Sequence, residues 1–312
     1  MPITDFESLL SPYPAERFLS EARGRQWLHI EGGADKVGGM LDWEALNRLI
    51  NMEVWNHQNF LMVLDTKPIP APQYCQQRVD RTGQMQMVPI PARVQQFLDQ
   101  GASLVLNEVE TLEPAVRGLV DAFDQGLGAK CSGNAYVSQQ NHQAFDTHFD
   151  RTDVFALQTL GSKRWRIYEG QLEAPVLHAR FTGMPPAEIH RLKGKVEAEF
   201  VTKPGDLIYL PRGRFHDALA TEGPSIHISF AVSEPKGLDF LQIVMDEAVG
   251  DPAFRADLPL DEADLPAYFD KLADRLKEVA RAQRTKERGR RLRQSFVPPR
   301  PAFRLGKSTR QG

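Results

Sequence analysis

Among the eight histidines of this 312-residue chain, two stand where their spacing could do chemistry. In "THFDRTD", residues 147–153, His148 and Asp150 lie two apart, just before "VFALQTLGSKRWRIY", which reads as a pair of strands. Residues i and i+2 of a strand share a face, so an imidazole and a carboxylate would project together from one rigid edge, as two metal ligands do. "KPGDLIYLPRGRFHDALA" supplies a third ligand. Its tight turn, short strand and second Pro/Gly turn deliver His216 at the start of the next strand. Two histidines and one carboxylate leave coordination positions open, the facial set of non-haem Fe(II) oxygenases. The same donors suit hydrolytic zinc, and carboxylate-bearing sites can hold manganese, so ligand identity leaves the metal open.

Lys163 narrows the choice. It follows Gly161 on the second strand, between the apolar run Val154–Leu160 and Trp165. Of Lys163 and Arg164, a regular strand turns one inward. An inward lysine is a buried charge, costly unless a carboxylate meets it. An Fe(II) enzyme using 2-oxoglutarate needs such a cation for the distal carboxylate of its co-substrate.

Rigid elements must hold these side chains. From Lys130 to Val232 the runs "AYVSQ", "VFALQTL", "RWRIYEG", "EAEFV", "DLIYLP" and "SIHISFAV" read as strands, with Gly161, "KPGD" and "PRGR" as turns. Many short strands at close spacing predict a sandwich or jelly-roll barrel of the cupin kind. Before it, "DWEALNRLINM" and "EPAVRGLVDAFDQGL" have helical spacing, "ASLVLNEV" reads as a strand, and "DTKPIPAPQYCQQ" as a proline-broken connector. After it, "LDFLQIVMDEAVG" and the series Leu265, Tyr268, Phe269, Leu272, Leu276, Val279 mark helices whose apolar faces need a partner. The expected division is a helix and loop elaboration over 1–99, a catalytic β core over 100–235, a helical region over 236–290 and a basic, proline-containing tail over 291–312.

Composition bounds the rest. A hydrophobic fraction of 41% supports an ordinary core. No apolar run is long enough to span a bilayer, and the N-terminus lacks the pattern of a signal peptide, which predicts a cytoplasmic protein without membrane contact. Cys75 and Cys131 are too few for a disulfide framework and read as reduced thiols. The net charge of −3 conceals an asymmetry: Arg281–Gly312 carries eleven lysines and arginines against Glu287, a formal +10 that leaves −13 on the preceding residues. Such an arm fits contact with nucleic acid, a ribosome or an acidic partner, or a solvated helix end.

The stretch "NAYVSQQNHQAFDTHFDRTDVFALQTLGSKRWRIYEG", followed by "PGDLIYLPRGRFHDALA", resembles the JmjC oxygenases, and most of all their ribosomal-oxygenase branch. The resemblance lies in His148, Asp150, Asp153, Val154, Phe155, Leu157, Gln158, Gly161, Lys163 and Trp165, and covers about residues 100–235. It implies a mostly β protein with helical additions, a double-stranded β-helix core of JmjC type. It further implies Fe(II) on His148, Asp150 and His216, and 2-oxoglutarate and O2 as co-substrates. Lys163 would meet the distal carboxylate, with Asn134 and Tyr136 on a strand lining the pocket. Ser229 and His227, on the strand that closes the site, could touch co-substrate or substrate, although His227 reads equally as a bonded core histidine. His29, His57, His142, His178 and His190 lack a partner at ligand spacing.

The implied activity is hydroxylation of a side chain of a protein or peptide, arginine or histidine leading, with succinate and CO2 as co-products. A small-molecule hydroxylase and a non-catalytic cupin-like binding protein are the alternatives, and histone demethylation stands behind them. Dimerisation through the C-terminal helices is expected. The branch usually continues into a winged-helix domain, which here reads as absent or reduced to the basic tail.

Overall fold

The strand Asp153–Leu160 shows how the fold is assembled, because its alternate residues enter two different cores. Val154 and Ala156 pack with Trp165, Ile167, Ile208 and Leu210, whereas Phe155 and Leu157 join a larger cluster with Phe123, Tyr209 and Phe230. The period of two in a strand makes this division automatic. The structure is a computed structural model that describes residues 3–38, 40–80, 82–138, 145–221 and 223–297. His142 and the tail from 298 to 312 lie outside the described residues. The chain divides into two units, Met1–Ser233 and Glu234–Gly312.

In the first unit the strands are β1 (Leu28–Ile30), β2 (Phe60–Leu64), β3 (Lys67–Pro68), β4 (Cys75–Val79), β5 (Met85–Pro89), β6 (Ser103–Leu106), β7 (Lys130–Ser138), β8 (Asp153–Leu160), β9 (Lys163–Gln171), β10 (Val196–Thr202), β11 (Leu207–Leu210), β12 (Arg214–Ala220) and β13 (Ser225–Ser233). An eight-stranded antiparallel sheet runs β1-β11-β8-β13-β7-β6-β2-β3, a smaller one runs β10-β9-β12, and β4 and β5 form a hairpin. Apolar residues of β8, β11 and the smaller sheet fill the space between the two sheets. This is a double-stranded β-helix, mostly β with helical additions.

The outer face of the large sheet is covered by the helix Pro114–Leu127, which starts on proline and ends at Gly128 in the left-handed conformation. Its Phe123 meets Phe155 and Phe230 with ring centroids 4.7 and 5.0 Å apart. Residues 1–99 hold more strand than their sequence suggested. "LHI" and "FLMVL" extend the large sheet by pairing with β11 and β6. Strands of three residues, or without alternation, carry no periodic signal of their own.

In the second unit three helices, Gly237–Ala248, Leu265–Arg281 and Gln283–Ser295, bury Val244, Ala248 and Thr285. The last runs beyond the expected boundary at 290, its basic residues tied back by Arg288 to Glu247 at 2.6 Å. Among the described residues no helix is long and apolar enough to cross a membrane.

Candidate metal centre

His148 and His216 are held opposite one another by backbone. They form an isolated antiparallel bridge, with His148 N–H donating to His216 O at 3.0 Å and His216 N–H to His148 O at 2.9 Å. The ligand pair does not sit on a strand edge as its spacing suggested: β8 begins only at Asp153, and His148 to Asp150 lie in the connection before it. Asp150 is fixed there by its carbonyl, which accepts from Gly213 N–H at 2.8 Å. One ligand atom from each of His148, Asp150 and His216 lies within 4.8 Å of the others.

The imidazoles are oriented for a cation. Nδ1 of His148 lies 2.8 Å from Asp146 O, and Nδ1 of His216 lies 3.0 Å from Arg214 O. A carbonyl only accepts, so each Nδ1 carries the hydrogen and each Nε2 presents a lone pair. His216 Nε2 lies 3.5 Å from Asp150 Oδ2. Burial, then the neighbouring His148, lowers His216 to about 4 against the pull of Asp150, so its imidazole is neutral, as a ligand must be. The donor set fits a divalent metal with open positions.

Lys163 points inward and Arg164 outward: Lys163 is 3% exposed, while Arg164 lies on the surface near Glu199. The Lys163 ammonium donates to Ser138 Oγ at 2.9 Å and to His227 Nδ1 at 3.0 Å. Among the described residues no carboxylate neutralises it, and burial brings its pKa down to about 7. His227 is pushed well below its ordinary value by burial, and next by Lys163 and His216. The neutral His227 ring stacks on Tyr136 with centroids 4.8 Å apart. Burial, followed by Asp150, raises the Tyr136 phenol.

A cavity of about 220 Å³ joins these groups, lined by the triad, Lys163, Tyr136 and His227 together with Phe145, Val154, Trp165, Ala218 and Ser229. Trp165 is 5% exposed, and among the described residues its buried indole N–H has no partner. Of the sequence-derived candidates, Asn134 is not brought into this cavity; its side-chain oxygen accepts from Glu108 N–H at 3.0 Å. Ser138 escaped the sequence reading because serine on a strand carries no signal. Trp165 had one, as the second inward residue of β9 after Lys163. A larger cavity of about 380 Å³ lies among Lys36, Asp42, Arg48 and Glu113. Among the described residues it holds no metal-ligand cluster; Arg48 pairs with Glu113 at 2.8 Å and Lys36 donates to Ser11 O, whereas the smaller cavity holds the His148, Asp150 and His216 cluster.

Other residues of the motif are scaffold. Buried Gln158 donates to Ser225 Oγ and the Ile226 carbonyl and accepts from Thr202, locking β8 to β13 and β10. Asp153 accepts from Tyr209 O–H at 2.7 Å and Arg212 N–H at 3.0 Å, fixing the turn ahead of His216. His29 is likewise structural, 3.1 Å from Asp206 and stacked on Phe200.

Residues 113–240 match the JmjC domain family. The chain is 25% identical over 294 residues to ribosomal oxygenase 2 of Bos taurus, covering 90% of this chain and 61% of that protein. It is 31% identical over 145 residues to the bifunctional lysine-specific demethylase and histidyl-hydroxylase NO66 of Drosophila willistoni, covering 46% of this chain and 18% of that one. The chain therefore spans less than two thirds of the length of these relatives. Among solved structures it is similar to YcfD, a ribosomal oxygenase from Escherichia coli, with a TM-score of 0.58 and 18% identity over 88% of this chain and 69% of that chain. The structure of YcfD in complex with cobalt and 2-oxoglutarate gives a TM-score of 0.56 at 18% identity, covering 88% of this chain and 68% of that chain. At that identity the likeness is one of fold.

Proposed function

Residues 113–240 carry a JmjC domain of ribosomal-oxygenase-like character, and on that premise we propose that the protein is an Fe(II)- and 2-oxoglutarate-dependent dioxygenase that hydroxylates a side chain of a protein or peptide. The observation that carries the reading is the union of the triad with a buried, uncompensated Lys163 in one small cavity. A hydrolytic metal site has no need of that ammonium. A dicarboxylic co-substrate does.

His148, Asp150 and His216 would hold the iron, with Nε2 of each histidine facing it and Nδ1 anchored on backbone. When bound, Fe(II) supplies the redox chemistry by which O2 and 2-oxoglutarate become succinate, CO2 and one hydroxyl group inserted into a C–H bond of the substrate. The chain supplies the rest. Lys163, with Ser138 and His227 behind it, receives the distal carboxylate and turns its buried charge from a cost into a contact. Tyr136 and Ser229 offer further polar atoms to the co-substrate, and Trp165, Val154, Phe145 and Ala218 exclude water. Asn134 lies next to this wall and supports it through Glu108.

The cavity is smaller than the usual drug-sized pocket of about 300–1,000 Å³, so a co-substrate fills it and the substrate approaches from the mouth. That favours a side chain presented by a peptide over an enclosed small molecule. Arginine and histidine are the leading targets. The formal −13 on the residues before the basic tail would attract a basic, ribosomal-protein-like peptide. We place the reaction in the cytoplasm, in a homodimer formed through the C-terminal helices. Contact of the basic tail with nucleic acid or ribosome belongs to the same reading, and residues 298–312 of that tail lie outside the described residues.

The test is to incubate Fe(II)-loaded protein with 2-oxoglutarate and a lysate, then search by mass spectrometry for peptides that gain one oxygen. The expected result is a gain seen with wild type and absent with Asp150→Ala. Gains that are equal in both would refute the proposal.

A further inference from the structure

Thr147 immediately precedes one histidine of the triad and Asp217 immediately follows the other, and their side chains are bonded: Thr147 O–H donates to Asp217 Oδ2 at 2.8 Å. This contact lies behind the metal centre. In the pleat of β12, Asp217 faces away from the direction of His216, and it pairs across the sheet with Arg166 while His216 pairs with Ile167. On that outer face Asp217 is 2% exposed. It also accepts from Arg166 Nε–H at 2.8 Å and from Tyr168 O–H at 2.7 Å. Lys193, at the end of the helix Pro186–Lys193, closes over the group, its Nζ 4.4 Å from the Tyr168 ring centroid and 3.3 Å from Thr147 Oγ1.

We propose that Asp217 and Thr147 form a latch that fixes the twist of the two histidines about the backbone bridge that sets them opposite each other, so that both are positioning residues for the metal centre. The inference rests on the reading of His148, Asp150 and His216 as metal ligands. Its physical basis is the small number of backbone ties on the segment among the described residues, beside the packing of Phe149 on Phe215 with ring centroids 5.3 Å apart. Among the described residues the bridge between His148 and His216 is isolated, with no further ladder on either side, and beyond it the bond from Gly213 to the Asp150 carbonyl is the other backbone tie. A two-bond bridge leaves the connection free to pivot about its own axis, which would swing the His148 ring relative to His216. A side-chain bond one residue to the side removes that freedom. Asp217 can serve as an anchor because it is itself held by two residues of β9, i and i+2 on one face, and cannot follow a movement of Thr147. Neither residue lines the cavity, so neither touches a co-substrate held there.

The latch acts on the metal and leaves the carboxylate seat alone. Hydrogen bonds made to the ligands themselves change metal affinity by about ten- to a hundredfold when lost, and this bond, one step further out, is set at the lower end of that range. The experiment titrates the full-length, metal-free protein anaerobically with Co(II), read by its visible absorption, in wild type, Thr147→Val, Thr147→Ser, Asp217→Asn and His148→Ala. KM for 2-oxoglutarate is then measured at saturating Fe(II). The expected result is Co(II) binding weakened about tenfold or more in Thr147→Val, restored in Thr147→Ser, with KM for 2-oxoglutarate within about twofold of wild type. Thr147→Val is close in shape to the native residue, so the test stands even where Asp217→Asn does not fold. Folded Thr147→Val that binds Co(II) as tightly as wild type overturns the latch. If His148→Ala also binds as tightly as wild type, the triad assignment itself has failed, and the two failures are thereby told apart.

Discussion

His148 and His216 exchange both of their backbone hydrogen bonds, at 3.0 and 2.9 Å, and bring their rings to 4.5 Å between centroids. Two ligands far apart in the chain are thus set in register by main chain, before any side chain contributes.

It follows that the ligands can be removed one at a time without dismantling the site. In His148→Ala the bridge persists, because alanine keeps the same N–H and carbonyl. Circular dichroism should show a wild-type spectrum while Co(II) binding is lost. Unfolding of His148→Ala would mean that the imidazole itself holds the bridge.

The buried Lys163 predicts a pH dependence. Its pKa falls to about 7 in the folded, ligand-free protein against the ordinary 10.5, so the unfolded chain binds more protons between those values. Stability therefore rises with pH across that window, and Lys163→Met should flatten the rise in thermal denaturation. Affinity for 2-oxoglutarate has the opposite trend, since only the ammonium attracts the distal carboxylate. Affinity should be flat below about pH 7 and weaken above it. His227, which faces Lys163, is neutral throughout and contributes no step of its own. In Lys163→Arg, where the guanidinium stays charged, binding calorimetry should find the weakening absent.

Two glycines should respond in opposite senses. Gly161 has φ +65° in the turn from β8 to β9, and a Cβ there would run into the Pro224 carbonyl oxygen. Gly161→Ala should cost about 1–3 kcal/mol or more. Gly118 lies on the exposed side of the helix Pro114–Leu127, and a Cβ there meets nothing within 4 Å. Gly118→Ala should gain about 0.5–1 kcal/mol. Urea denaturation of the three proteins checks both signs.

In the helix Gly237–Ala248, Leu238, Leu241 and Met245 lie on one stripe and are 57, 50 and 52% exposed. If this stripe is the proposed dimer surface, size-exclusion chromatography with light scattering should give twice the chain mass for wild type and the chain mass for Leu241→Glu. A monomeric wild type would remove the dimer from the account.

The β core was legible in the sequence because its strands are long enough to alternate. In β13 the apolar Ile226, Ile228 and Phe230 alternate with His227 and Ser229, whereas β8 is apolar on both faces; at β9 alternation required only that one of Lys163 and Arg164 turn inward, and the structure turns Lys163 in. The three-residue β1 and the unalternating β2 were not legible. At the site, histidine and carboxylate spacing marked the triad, but its support was hidden. Ser138 and Thr147 are ordinary residues whose meaning depends on partners 25 and 70 positions away. The expected strand edge under His148 proved to be a connection, since one isolated bridge leaves no trace in a local pattern.

The central claim is that a metal held by His148, Asp150 and His216 couples 2-oxoglutarate to oxidation of a substrate. Its most direct test is proton NMR of 2-oxoglutarate conversion by the Fe(II)-loaded protein under air, with a responsive peptide from the lysate search, comparing wild type with His216→Ala. The account predicts one succinate formed for each oxygen gained by the peptide in wild type, and neither product in the variant. Succinate formed at an undiminished rate by folded His216→Ala would contradict it.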